Sequence, residues 1–451
     1  MRKSYLLFCL LGFFIRMQGQ PGSGRSLMTL LDQAEKNYPL LKAKKLETAA
    51  SQKNIDIAQS GLIPTLDAAY QLNIATYNNI TGMAYPQYLV PISGPPSADN
   101  AGAVPGSAVS LLFNWQPLTF GKRQSAIDVS KATVQYAMAD EQNEVFRHKI
   151  KVVDAYLDWM TALTLESVYH ENISRAEEDL RLARSLVSSG IKPGVDTALM
   201  NAELARAKVD WLNSRKEREQ RKILLSELLA TDSMPVISDS FYFNHLPASV
   251  LQTDSSTNPL LTLYAAELEL SKSRKKELLK STMPTLGIWG TTYARGSAVD
   301  FNGNVKSSDG LSFQRYNYGL GLQLSIPLLA SAHIKPQKQQ QDFIISINQE
   351  KQNEIALKLK KQNQLADTAI HTALAIAQES PLYFESANYS YNALQSRYQS
   401  GLANLADLIQ AQYAFTKADA DKRIAYMAVW KALLYKAAVN GDLNFFVKQV
   451  N

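Results

Sequence analysis

The stretch that decides the fold is SGLIPTLDAAYQLNIATY, residues 60–77, in which the hydrophobic period changes. The chain before Pro64 has the pattern of a helix, and from Pro64 onward apolar and polar residues alternate as in a half-buried strand. A second stretch, KSTMPTLGIWGTTY (280–293), carries the same Pro-Thr-Leu at the same kind of boundary. The sequence therefore predicts that the chain passes from helix to strand at two equivalent places.

Those two places belong to a tandem duplication of the chain. Pro39 and Pro64 are 25 positions apart, and so are Pro259 and Pro284. Further spacings recur in the two copies: six positions from Gly190 to Asp196 and from Gly401 to Asp407, and 73 or 74 positions from Pro117 to Gly190 and from Pro327 to Gly401. Each copy is predicted to run helix, strand, loop, strand, very long helix, tight turn and helix.

The duplication sets the expected boundaries. We expect a signal peptide at 1–20, a first repeat at 21–230, a linker at 231–258, a second repeat at 259–440 and a tail at 441–451. The strands are expected at about 64–77, 107–117, 284–294 and 316–327. The long helices are expected at about 121–188 and 335–399, and the return helices at about 196–230 and 405–440.

The long helices are themselves informative. From Lys122 to Ser188, ~1.5 Å per residue gives roughly 100 Å of helix. Helices of this length occur as coiled coils or as helical walls rather than in ordinary globular domains. In the second copy Pro381 lies inside the helix, and the sequence predicts a kink near Ala377–Pro381.

The predicted strands suit a membrane. Each has about 9–13 residues, the length that crosses a bilayer as a tilted strand. Aromatic residues of the kind found at membrane interfaces crowd the strand ends, namely Tyr77, Trp115, Tyr293, Tyr316 and Tyr318. The third strand alternates less clearly, because Trp289 and Tyr293 are on the face of the strand opposite to that of Leu286 and Ile288. A soluble β-sandwich face is the alternative for these strands.

A sheet of four strands is not stable by itself in a membrane. Each unpaired backbone group in lipid costs several kcal/mol, so the sheet must close on itself. The smallest known barrels have about eight strands, so several chains must combine. Two copies would give eight strands with a filled interior, and three would give twelve strands with room for a lumen.

The first 20 residues, MRKSYLLFCLLGFFIRMQGQ, have the basic start, apolar run and short polar exit of a secretory signal peptide. A transmembrane anchor is the alternative, and the apolar run is too short to favour it. The only cysteine, Cys9, lies inside this run, so the mature protein would carry no thiol or disulfide. The net charge of +6 falls to about +3 without the three cations of this segment, 6 − 3, which is too weak to indicate a nucleic-acid partner, and none is expected.

The sequence shows no enzyme chemistry. Its five histidines are scattered without metal-ligand spacing: His148, His170, His245, His333 and His371. It has no nucleophile elbow, P-loop or HExxH motif, and Gly319-x-Gly321 lies within a predicted strand. We therefore expect no enzyme activity, no cofactor and no metal site.

The quoted features resemble the TolC family of outer-membrane efflux proteins. The resemblance rests on SLMTLLDQAEKNYPLLKAKK, GLIPTL, QPLTFGKR and YQSGLANLADLIQAQ, in this order, and it covers nearly the whole mature chain. It implies a mainly helical fold with transmembrane β-strands, in which a homotrimer forms a 12-stranded β-barrel in the outer membrane and a long helical tunnel in the periplasm. By the same resemblance, residues 231–258 would belong to an equatorial belt, and the tail after Gly441 would join it or be loose.

The resemblance also implies where the channel is gated. The turns 188–196 and 399–407, with Gly190 and Gly401, would form the periplasmic tip, where the tunnel narrows and an adaptor docks. Asp196 and Asp407 match the tip aspartates of the family, and Tyr398 matches a gating tyrosine. Three copies of each aspartate would make a ring of negative charge that attracts cations. The alternative for both aspartates is capping of a helix start.

Two positions depart from the family pattern. Gln410 stands where some members carry a second aspartate, and Ala403 stands where they carry a gating arginine. The charged contacts that the resemblance implies for a closed tip would therefore be weaker in this protein, or other residues would form them.

The function expected from this resemblance is a passive outer-membrane duct of a tripartite efflux system, exporting small molecules or metal ions. Its partners would be a periplasmic membrane fusion (adaptor) protein, an inner-membrane RND or ABC-type pump, and outer-membrane lipid. One alternative is the outer-membrane duct of a type I protein secretion system. Another, of a different class, is a non-conducting periplasmic helical adaptor.

Overall fold

The computed structural model describes residues 27–76, 97, 102–232, 241–247, 258–300 and 302–450. The expected signal peptide, most of the first loop and most of the linker lie outside these residues. The helices of the first repeat are α1 (Leu27–Asn37), α2 (Pro39–Ser60), α3 (Lys122–Ser188) and α4 (Val195–Leu229), and the short α5 (Phe241–Asn244) lies in the linker. The later helices are α6 (Pro259–Lys280), the short α7 (Ala330–His333), α8 (Lys335–Gln399), α9 (Leu405–Asn440) and α10 (Leu443–Val450).

The strands are β1 (Thr65–Ala75), β2 (Val104–Leu118), β3 (Thr285–Ser297) and β4 (Arg315–Ser325). They form a four-stranded antiparallel sheet in the order β1-β2-β3-β4. β2 begins three residues before the expected start and β3 ends three residues after the expected end. Both strands are longer than expected because their added residues pair with a neighbouring strand. Val104 lies opposite Ala75 of β1, and Ser297 lies opposite Gly106 of β2.

The register of the sheet separates its two faces. Directly opposite residues of antiparallel strands point to the same side, so each row of the ladder shares a face. One face is apolar and includes Leu66, Tyr70, Leu72, Val109, Leu111, Phe113, Ile288, Tyr318, Leu320 and Leu322. The other, polar face includes Thr65, Asp67, Gln71, Asn73, Ser110, Asn114, Thr291, Tyr293 and Asn317.

The register also explains the weak alternation of the third strand. Trp289 lies on the polar face, opposite Gly321. A Cβ atom at Gly321 would approach the indole of Trp289 to 2.6 Å, and one at Gly319 would approach it to 3.2 Å. The two glycines therefore leave the space that the Trp289 ring occupies on the neighbouring strand.

Contacts divide the chain into two compact units. The described residues of Lys45–Asp140 and Thr262–Glu354 form one, which we call the sheet unit. Those of Met1–Lys44, Glu141–Leu261 and Ile355–Asn451 form the other, which we call the helical unit. Each unit draws on both repeats, so the compact units do not coincide with the duplicated segments. Among the described helices, none is long and apolar enough to cross a membrane.

The helical unit has an aromatic core. Trp430 of α9 is fully buried and meets Tyr242 of α5 edge-on, with the ring centroids 5.3 Å apart. The indole N–H of Trp430 donates to the carbonyl of His245 at 3.1 Å. Phe446 of α10 also meets Trp430 edge-on at 6.0 Å. The C-terminal segment is therefore packed into this core.

Helix α8 runs through Pro381 without a break in its assigned helical residues. The proline has no N–H to donate to the carbonyl of Ala377, four residues earlier. The hydroxyl of the buried Ser380 donates to that carbonyl at 3.0 Å. A side chain thus satisfies the backbone group that the proline would leave unpaired.

Candidate functional site

The turns between α3 and α4 and between α8 and α9 have the same backbone construction. Gly190 and Gly401 adopt the left-handed conformation, with φ of 75° and 78°, which glycine reaches without strain. Equivalent backbone bonds close the two helix ends: the N–H of Ile191 donates to the Leu186 carbonyl (2.9 Å), and that of Leu402 to the Arg397 carbonyl (2.8 Å). This is the Schellman arrangement of helix C-termini.

Tyr398 and Asp196 meet beside these turns. Tyr398 lies in the last turn of α8 and is fully buried, and Asp196 lies in the first turn of α4 and is 7% exposed. The Tyr398 hydroxyl donates to Oδ2 of Asp196 at 2.8 Å. Burial, followed by the carboxylate of Asp196, raises the pKa of Tyr398, so the phenol keeps its proton. The contact joins the return helix of one repeat to the long helix of the other.

The two aspartates expected to be equivalent are not. Asp407 is exposed, and its own N–H donates to the Asn404 side chain, which caps α9, at 2.8 Å. The cap residue of α4 is Gly194, which has no side chain to offer. Neither aspartate is therefore the cap of its helix, although both lie in the first turn, where the helix dipole favours a negative charge. Gln410 is also exposed, and the described residues provide no hydrogen-bond partner for its side chain.

Lys192 adds a connection that the sequence did not reveal. Its ammonium donates to the carbonyl of Ala403 at 2.7 Å and lies 5.0 Å from the ring centroid of Tyr398. A cation from the α3–α4 turn thus reaches the α8–α9 turn at Ala403. The two turns are joined by Lys192 and by the Tyr398–Asp196 pair.

A second polar contact lies deeper in the helical unit. Asp179 of α3 is fully buried and accepts the Tyr391 hydroxyl at 2.9 Å and the Gln395 amide at 2.7 Å. Burial raises the pKa of Asp179, and the hydrogen bonds from Gln395 and Tyr391 oppose this only in part. The guanidinium of Arg175 stacks on Phe415, 4.8 Å from the ring centroid. α3 is thereby joined to α8 by a buried acid.

The site residues predicted from the sequence do not include Lys192, Asp179, Tyr391 and Gln395. A signal was present for three of them. Tyr391, Gln395 and Tyr398 are spaced by four and three residues, so they share one face of α8. Asp179 stands among residues at helical spacing that the fold buries, such as Ala176, Leu180 and Ala183, and a buried acid needs partners. Lys192 carried no such signal, because its partner is a backbone carbonyl of a remote turn.

The raised pKa of Asp179 leads to a prediction on stability. An acid with a higher pKa when folded favours folding below its unfolded pKa, and it loses that contribution as pH rises through the folded pKa. We therefore expect Asp179→Asn to raise the thermal unfolding temperature at pH 7.5, with a gain that shrinks as the pH is lowered toward about 4. Asparagine can still accept from Gln395 and donate to the Tyr391 oxygen.

Two variants serve as controls for this prediction. Asp179→Ala leaves both partners unpaired, and we expect it to lower the unfolding free energy by about 1–3 kcal/mol. Glu178→Gln removes a neighbouring exposed carboxylate and should change little. If Asp179→Asn were as destabilising as Asp179→Ala at pH 7.5, the buried carboxylate would be a net stabilising charge and the prediction would be wrong.

The described residues show no candidate metal site. They contain no group of three or more His, Cys, Asp or Glu side chains arranged to hold a metal ion. The contacts around the two turns are hydrogen bonds between separate helices and turns. They hold the helices together while they are formed, and the helices can move apart when they break.

Comparison with known proteins finds a family model that matches part of this chain. Residues 30–231 match the sequence model of the family described as outer membrane efflux protein. The chain is also 24% identical over 197 residues to the nickel-cobalt-cadmium resistance protein NccC of Alcaligenes xylosoxydans xylosoxydans. That alignment spans 42% of this chain and 45% of NccC, so the chain is matched to less than half of this relative's length.

Solved structures share the fold over most of the chain. The outer membrane protein VceC of Vibrio cholerae superposes with a TM-score of 0.72 at 13% identity, covering 92% of this chain and 96% of VceC. The CmeC outer membrane channel of Campylobacter jejuni gives a TM-score of 0.71 at 15% identity, covering 92% and 85%. The resemblance to the TolC family and the predicted fold class, mainly helical with a β-sheet, are confirmed.

Proposed function

Because residues 30–231 match the model of the outer membrane efflux protein family and the chain has the fold of outer-membrane channels, we propose that it is a passive exit duct in the outer membrane. It would serve a tripartite efflux system and export small molecules or metal ions. The duct would catalyse no reaction and bind no energy source of its own.

The two-faced sheet is the observation that carries this proposal. The four strands contain only three charged residues, Asp67, Arg295 and Arg315, and all three lie on the polar face. The apolar face exposes large side chains, among them Leu320, 79% exposed, and Tyr318, 92% exposed. Water would make such a surface costly, whereas lipid would favour it, since membrane strands alternate between lipid-facing and lumen-facing residues.

The open edges of the sheet support a homotrimer. β1 and β4 are the edge strands of the described sheet, and each has one side without a strand partner. Lipid does not tolerate free edges, so β4 of one chain would pair with β1 of the next. Three chains would give a 12-stranded barrel, 3 × 4, which leaves room for a lumen.

The two turns would form the gate of this duct. The contacts between Tyr398 and Asp196 and between Lys192 and the Ala403 carbonyl hold neighbouring helices together, and the buried Asp179 adds a second tie. A periplasmic membrane fusion (adaptor) protein would release them on docking, and an inner-membrane RND or ABC-type pump would supply the energy. The exposed Asp407 would act differently, as a fixed negative charge at the entrance.

The partial match to NccC, a protein named for nickel, cobalt and cadmium resistance, supports metal ions as a substrate class. A type I protein secretion duct would use the same fold and stays an alternative. A non-conducting periplasmic adaptor is disfavoured by the apolar, outward-exposed face of the sheet. No nucleic-acid partner is proposed.

Planar-bilayer conductance of the detergent-purified mature protein tests the proposal, with the mass measured in the same detergent. We expect a trimer that produces discrete channel steps. A chain that stays soluble without detergent, or a trimer that never conducts under any gate-relaxing substitution, would contradict a duct.

A further inference from the structure

Two arginines face each other across the last strand pair of the sheet. Arg295 of β3 lies directly opposite Arg315 of β4, in the row that also holds Gln71 and Ala108. Both side chains are exposed on the polar face. The row lies at the end of the sheet where β3 turns into β4, away from the helices that lead into the strands.

This pairing is unfavourable for the sheet itself. Like charges directly opposite each other in an antiparallel pair are destabilising. Neither guanidinium has a hydrogen bond or an ion pair with any of the described residues. The one acid of the four strands, Asp67, is four residues from the arginine row, which is about 13 Å along a strand. The positive charge of the pair is therefore uncompensated in this part of the chain.

The hairpin loop between β3 and β4 leaves the pair uncovered. The short 3-10 turn Ser307–Leu311 packs against β2 and β3: a Cβ atom at Gly296 would overlap the Ser312 carbonyl oxygen, and one at Gly310 would meet the Pro105 carbonyl at 2.4 Å. Gly296 and Pro105 both belong to the apolar face. The described loop thus folds over the apolar side. Of its two acids, Asp309 is paired with Lys306 at 3.1 Å, and Asp300 accepts from the backbone and the side-chain amide of Asn304, each at 2.9 Å.

We propose that Arg295 and Arg315 form a cationic belt in the lumen that binds anionic groups, carboxylate or phosphate, of the solutes that leave through the duct. This inference rests on the proposed function, because it needs the sheets to close with their polar face inward. Three chains would then place six guanidinium groups on one level of the lumen. Arginine suits this role, since its planar fork binds carboxylate and phosphate in a bidentate manner.

The placement of the pair argues for a passing solute over a membrane headgroup. Headgroups contact the apolar, outer face of a barrel, whereas both arginines lie on the opposite face. The charge of the belt is positive, whereas the charge expected at the entrance, near the helical turns, is negative. A solute with a carboxylate or phosphate, or an anionic complex of a metal ion, would be favoured at this level over a bare cation.

The reversal potential of the channel in a salt gradient tests the belt. We compare the Tyr398→Phe protein, whose pore is expected to conduct, with the same protein carrying in addition Arg295→Gln and Arg315→Gln. We expect the chloride-to-potassium permeability ratio to fall by a factor of about three or more in the latter, because six charges leave one level of the lumen. Pyrophosphate added from the hairpin side should block the parent channel and lose this block in the double variant.

Lys306→Gln is the matched control, because it removes a cation from the same hairpin but not from the polar face. It should leave the permeability ratio and the pyrophosphate block unchanged. Channels with normal conductance whose selectivity and block survive the double substitution would overturn the belt and leave the duct intact. A protein that forms no channels at all would overturn both, and a block lost equally in Lys306→Gln would place the anion site on the loop instead.

Discussion

Replacing Tyr398 by Phe is expected to raise the open probability of the channel about tenfold. The substitution removes only the hydroxyl that donates to Asp196 at 2.8 Å. Asp196 is nearly buried, and leaving such a group without its donor costs about 1–3 kcal/mol. The cost falls on the closed arrangement alone if the carboxylate is hydrated once the helices separate. Since about 1.4 kcal/mol corresponds to a factor of ten, the ratio of open to closed channels should rise about tenfold.

Single-channel recording measures this effect, and the same helix provides the control. Tyr389 is 77% exposed, so Tyr389→Phe removes a hydroxyl from α8 without breaking an interhelical contact. It should behave as wild type. Equal open probabilities for Tyr398→Phe and Tyr389→Phe would mean that the Tyr398–Asp196 contact does not hold the gate.

A substitution of Asp407 tests whether an aspartate at the tip acts through its charge and not through a contact between helices. Its side chain is exposed, so Asp407→Ala should leave the open probability unchanged. If it forms a ring of negative charge, the substitution should instead weaken block by divalent cations. Unchanged conductance and unchanged cation block in Asp407→Ala would show that Asp407 has no part in the gate.

Replacing Leu111 by Arg is expected to prevent assembly of the channel in lipid. Leu111 is the central residue of β2 and lies on the apolar face, in the row of Ala68 and Thr292. An arginine at the lipid face of a barrel costs about 2–4 kcal/mol near the bilayer midplane. A trimer would bear this cost three times, which is comparable to the whole stability of an ordinary domain.

The adjacent residue of the same strand is the control. Ser110 precedes Leu111 and therefore points to the polar face, where it lies in the row of Ala69 and Tyr293. Ser110→Arg adds the same side chain to the lumen side, and we expect trimers in normal yield. Folding into lipid vesicles, followed by the mass of the extracted protein, measures both variants. Equal yields for the two substitutions would contradict the assignment of the apolar face to lipid.

The asymmetry of the two aspartates marks the limit of reasoning from the repeats. Asp196 and Asp407 occupy matching positions of the duplicated sequence, so the sequence assigns them one role. In the fold only Asp196 finds a buried tyrosine, because Tyr398 ends the long helix of the other repeat. Asn404, which caps α9, has Pro193 at the matching position of the first copy, and the cap residue of α4 is Gly194. Matching positions of the two copies therefore differ in role because they face different neighbours.

The order of helices and strands, the duplication and the turn glycines followed from the sequence by itself. Periods of 3.6 and 2.0 residues, and the backbone freedom of Gly190 and Gly401, are local properties that each stretch carries with it. The opposition of Arg295 and Arg315, the burial of Asp179 and the reach of Lys192 to Ala403 were decided by the tertiary structure. These depend on strand register and on helix packing between segments up to about 200 residues apart, and no local pattern specifies which distant side chains will meet.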